Sequence, residues 1–139
     1  MFMKILVLLL LLLAPSVRAQ DRFTSGEFKG FTKSPTEGEI VRLDEPVTLR
    51  RMTGTVVRSV GDESPLEGRL VEVRALNGSE VIGAAKTDSQ GRFHIDGIHP
   101  GTYVFKVTTL GFQSVVGTVV ISEKARKSNV LALRQKPGV

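Results

Sequence analysis

The sequence predicts an all-β protein: a sandwich of seven or so antiparallel strands, preceded by a cleaved leader and an extended arm. Three observations carry this. From Pro46 onward, short stretches alternate apolar and polar residues. Turn residues interrupt them at intervals of about 8–12 positions, the spacing of sandwich and barrel folds. No window there sustains a helical repeat.

The leader comes first. A basic start at Lys4, the apolar run Ile5 to Leu13 and the small-x-small ending Val17-Arg18-Ala19 are the marks of a secretory signal peptide. The run is too short for the roughly 20 apolar residues that a membrane-spanning helix needs. Residues 1–19 are therefore expected to be removed after Ala19, leaving a secreted or periplasmic chain with no stable membrane insertion.

Removal of the leader changes the charge. The full chain carries 19 basic and 14 acidic residues; loss of Lys4 and Arg18 leaves 17 against 14, a net charge of +3. Charges of both signs are interspersed, so no basic stripe suggests a nucleic-acid partner. Cysteine is absent, which excludes a disulfide scaffold, an iron–sulfur protein and a cysteine enzyme.

Residues 20–45 read as an extended or flexible arm, because Gly26, Gly30 and Ser34-Pro35-Thr36-Glu37-Gly38 break any periodicity. Phe23, Phe28 and Phe31 make it unlike a polar linker. Those rings either tuck against the domain or dock a partner.

The sandwich is expected over residues 46–134, with a tail at 135–139. Val47 to Leu49 and Thr53 to Arg58 open it. In Leu70 to Ala75, Val71, Val73 and Ala75 share one face, with Glu72 and Arg74 on the other. Val81 to Lys86 follows, then Arg92 to Asp96 with Phe93 and Ile95 inward. Thr102 to Val107 aligns Tyr103, Phe105 and Val107, and Val115 to Ile121 and Asn129 to Leu133 complete the set. Between them lie Pro65 with Gly68, Asn77-Gly78, Asp88 to Gly91, Gly97 with Pro100-Gly101, and Gly111. Proline presets φ, glycine takes positive φ, and Asn or Asp bonds its own backbone. Asn77-Gly78 is read as a two-residue hairpin turn with positive φ.

The ordered series Gly54-Thr55-Val56, Pro65-Leu66-Glu67-Gly68, Thr87-Asp88-Ser89-Gln90-Gly91-Arg92-Phe93, Gly97-Ile98, Pro100-Gly101-Thr102-Tyr103 and Gly111-Phe112 resembles the carboxypeptidase regulatory-like domain. The resemblance covers about Thr53 to Leu133 and implies a prealbumin-type (transthyretin-like), immunoglobulin-like β-sandwich. It implies a scaffold in exported and surface proteins that folds, docks or spaces, and a scaffold does not fix an activity. Each motif residue also has a mechanical role: Asp88 to Gly91 reverses the chain to deliver Phe93 to the core. Pro100-Gly101 starts a strand whose Tyr103 turns inward while its hydroxyl bonds backbone.

Chemistry is sparse. His94 and His99 are the only histidines, one on an outward strand position and one in a turn, with no set of zinc ligands around them. No serine sits in a nucleophile elbow. The Tyr-Arg-Gly-Ser ending of the transthyretin-like purine-pathway hydrolase is missing. Asp88 and Asp96 flank a strand without the carboxylate-rich spacing of a calcium loop. Lys124-Ala125-Arg126-Lys127 reads as a solvated basic loop, or as a contact for an acidic polymer or a lipid head group.

The expectation is a non-catalytic exported module without cofactor or metal. Its partner would be another envelope or extracellular protein, taken by Phe23, Phe28 and Phe31 or by an exposed strand edge. The alternative is carbohydrate or small-ligand binding, against which stands the lack of tryptophan and the single tyrosine.

Overall fold

The computed structural model describes residues 28–34, 40–59, 61, 63–108 and 111–136. The expected leader and Phe23 lie outside them. Among the described residues nine strands form and no helix: β1 (Val41–Arg42), β2 (Val47–Leu49), β3 (Met52–Arg58), β4 (Leu70–Ala75), β5 (Val81–Lys86), β6 (Arg92–Ile95), β7 (Gly101–Thr108), β8 (Val115–Ile121) and β9 (Leu131–Gln135).

They make the expected two-layered all-β sandwich. The large sheet runs β1-β8-β7-β4-β5, with β2 further along the same edge of β8; the small sheet runs β6-β3-β9. β4, β5, β7 and β8 pair antiparallel, as in Val73 opposite Phe105 and Phe105 opposite Gly117.

Two details differ from the expectation of seven antiparallel strands. β1 and β2 lie parallel to β8, and β9 lies parallel to β3, so both sheets are mixed. β1 has two residues and β2 three, too few to display alternation in the sequence. β1 also falls within the stretch read as the arm, so the sheet begins before residue 46, and Gln135 belongs to β9 instead of the tail.

Between the sheets sit Leu49, Met52, Val56, Val71, Val73, Phe93, Ile95, Phe105 and Leu131, all buried. Phe93 faces its cross-strand partner Gly54, and Phe105 faces Gly117. A β-carbon on either glycine would come within 2.7 Å of the ring, so each phenylalanine uses the space its partner leaves open.

The Asn77-Gly78 turn is corrected. Neither residue has positive φ; the Gly78 amide donates to the Ala75 carbonyl at 3.0 Å, which places Leu76-Asn77 at the centre of the turn. The link to β5 is longer than a two-residue loop, so the φ > 0 geometry that favours Asn-Gly is not required.

Candidate functional site

A second apolar cluster lies on the outer face of the large sheet. Phe31, Val104 and Val116 are buried there, with Phe28, Ile40 and Val81 packed around them. Residues 28–34 supply this cover. The segment turns at Gly30, whose φ is +88° and whose Cα lies so near the Ser79 carbonyl that a β-carbon would sit 2.3 Å from the oxygen. Only glycine fits both conditions.

Beneath the cover lie three charged side chains: Glu72, Arg74 and Lys106 are 6%, 2% and 0% exposed. Each holds the segment by its backbone. The Thr32 amide and hydroxyl donate to the two Glu72 carboxylate oxygens at 3.0 and 3.1 Å. Lys106 Nζ donates to the Thr32 carbonyl at 2.8 Å, and Arg74 Nη1 donates to the Lys29 carbonyl. Arg74 also lies 5.1 Å from the centre of the Phe31 ring. Glu72 and Lys106 face each other in register across β4 and β7, which sets opposite charges on neighbouring strands beneath the cover.

Of the two alternatives the sequence left open for these rings, Phe28 and Phe31 take the first, tucking against the domain. Phe31 is 6% exposed and Phe28 half-buried, both against the chain's own sheet. Phe23 lies outside the described residues.

The turn motifs sit where their chemistry requires. The Gln90 and Arg92 amides both donate to Asp88 Oδ1 at 2.9 Å. Those backbone bonds, that of Arg92 first, hold the Asp88 carboxyl below its ordinary pKa, and the nearby Arg92 guanidinium adds to the effect. Gly91 has φ +73°, and a β-carbon on it would meet the Val56 carbonyl at 2.5 Å. Thr87, given in the sequence only as the first residue of its motif, has a role of its own. Its hydroxyl donates to the Leu66 carbonyl at 2.6 Å and accepts the Arg69 amide at 2.9 Å, tying the Pro65–Gly68 turn to the Asp88 turn. Tyr103 Oη donates to the His99 carbonyl at 2.6 Å, the expected corner. Gly68, Gly97 and Gly111 all take positive φ; Pro100 precedes β7, and Phe112 packs on the core.

A family model for the carboxypeptidase regulatory-like domain matches residues 51–134. The chain belongs to that family. The regulatory-like domain is a non-catalytic type of module, so its motif residues serve the scaffold. A comparison with curated proteins finds no match.

Two other surfaces of the domain remain open. Among the described residues β5 ends the large sheet, pairs only with β4, and leaves Ile82 53% exposed. The second surface is a groove of about 220 Å³ lined by Arg50, Arg51, Thr53, Lys127 and Asn129. It joins the basic loop noted in the sequence to an Arg-Arg pair far from it along the chain. Next to it, sharing Arg50 and Arg51, is a shallower groove with His94 and Asp96, whose side chains bond each other. His99 lies outside both grooves. Among the described residues no three His, Cys, Asp or Glu side chains are grouped to hold a metal ion. None of the six described aromatic rings is exposed, so the described surface has no flat platform for a sugar.

Proposed function

We propose that the chain is an exported β-sandwich module of the cell envelope, acting through protein interaction. The observation that carries this is the β5 edge. Every other long strand of the large sheet has a neighbour on both sides, while β5, among the described residues, presents one unpaired row of backbone groups beside exposed Ile82 and Ala84. An extended segment of a partner can pair there, its main chain supplying affinity and its alternate side chains specificity. Export is supported by the basic, apolar and small-x-small succession of residues 1–19.

Two measurements test the reading. Fractionation with N-terminal sequencing is expected to recover a chain beginning at Gln20 outside the cytoplasm; a cytoplasmic chain that keeps Met1 refutes export. A photo-crosslinker at Ile82 is expected to trap an envelope protein, and Ala84→Lys is expected to abolish the adduct by charging the edge. Equal trapping from a crosslinker at Ala132 on the small sheet refutes the role of β5.

A further inference from the structure

We propose that the groove lined by Arg50, Arg51, Thr53, Lys127 and Asn129 is a binding site for a phosphoryl group. Its five residues come from two places. Arg50 and Arg51 link β2 to β3, Thr53 is the second residue of β3, and Lys127 and Asn129 belong to the segment between β8 and β9. Three cations line the groove with a hydroxyl and an amide, and among the described residues no carboxylate lines it.

Its walls are partly fixed. Arg50 Nε donates to the Ala125 carbonyl at 3.1 Å, which orients the guanidinium and leaves its Nη donors for a ligand. Asn129 Nδ2 donates to the Thr48 carbonyl at 3.3 Å, anchoring the other side. Arg51 and Lys127 engage no acid among the described residues. Asp96, the acid of the adjoining groove, is bonded to His94.

Size and charge select the ligand. The volume of about 220 Å³ equals that of about seven waters at roughly 30 Å³ each, room for a phosphate and a small ester group. A phosphomonoester near neutral pH carries a charge of about −1.5 to −2 and three acceptor oxygens. Two guanidinium forks and one ammonium match that set. A single carboxylate would leave two of the three cations uncompensated.

Two sources present this group: a free phosphoester, and the head group of an acidic lipid. Amide NMR shifts of the full chain at low salt, with added inorganic phosphate and then glycerol 3-phosphate, test the site directly. Saturable shifts confined to residues 50–53 and 127–129 are expected. The double variant Arg51→Gln, Lys127→Gln is expected to weaken binding at least tenfold; both residues are exposed, and an unchanged melting temperature confirms its fold. Lys86→Gln, at the end of β5, is expected to bind as the parent does. Co-sedimentation with phosphatidylcholine vesicles, with and without phosphatidic acid, separates the sources. Capture by the acidic vesicles, lost in the double variant, assigns the lipid; binding of glycerol 3-phosphate without vesicle capture assigns the free ester. Shifts scattered over all lysines and arginines, equal weakening by Lys86→Gln, or undiminished binding by the double variant overturns the proposal. The groove and β5 use different residues, so failure here leaves the strand-edge reading intact.

Discussion

The outer faces of the two sheets begin from the same pattern and end differently. On β4 and β7 the outward positions hold Glu72, Arg74 and Lys106; on β6 and β9 they hold Arg92, His94 and Arg134. The first set is buried under residues 28–34. The second is open to solvent, with the Arg134 side chain 63% exposed and paired to Glu63. Alternation alone therefore says only which side of a strand a charge occupies. Whether that charge meets water depends on chain that lies elsewhere in the sequence, and the difference sets the cost of losing it.

Four substitutions probe this contrast. Lys106→Ala is expected to cost the most, about 3–4 kcal/mol by urea denaturation, because it leaves Glu72 buried without its facing cation and the Thr32 carbonyl with only the longer bond from the Thr108 hydroxyl. A loss below about 1 kcal/mol would mean that the covered face is wet. Phe31→Ala is expected to cost about 3 kcal/mol, the lower end for a buried phenylalanine, since the segment can relax into the space. It is also expected to speed tryptic cleavage at Lys29 and Lys33, a readout that separates release of the segment from general unfolding.

Asp88→Asn keeps a capping oxygen and removes the charge. The folded-state pKa of Asp88 is lowered, so its contribution is present above the unfolded value of about 3.9 and fades as pH falls through the folded value. The parent is therefore expected to lose stability more steeply than the variant below about pH 4; identical acid limbs would remove Asp88 from the account. Arg134→Ala on the open face is expected to change stability by about 0.5 kcal/mol or less, since its ion pair with Glu63 is solvent-exposed. A loss comparable to that of Lys106→Ala would erase the distinction between the faces.

Local features were legible in the sequence. Phe93 and Ile95 turn inward because a strand has a period of two, Asp88 caps its own turn, and Tyr103 bonds the backbone four residues before it. Each depends on neighbours within a few positions. Features built from distant segments were not legible. Glu72 and Lys106 look like solvated charges until Thr32 arrives from 40 and 74 positions away. The groove joins Arg50 and Arg51 to Lys127, which in the sequence belongs only to a basic loop. β1 and β2 carry too few residues for any pattern, and their pairing is supplied by β8.

That pairing has a bearing on the order in which the molecule can assemble. Val41 and Val47 have no strand to rest on until Val115 and Val119 have been synthesised, and β3 lacks its parallel neighbour until Leu131 follows. Sheets closed by such distant pairs fold slowly and late. β1 and β2 accordingly stay unpaired while most of the remainder is being made. On the proposal of export, the delay would suit a chain that must pass through a channel extended, since β1 and β2 lock only once β8 follows.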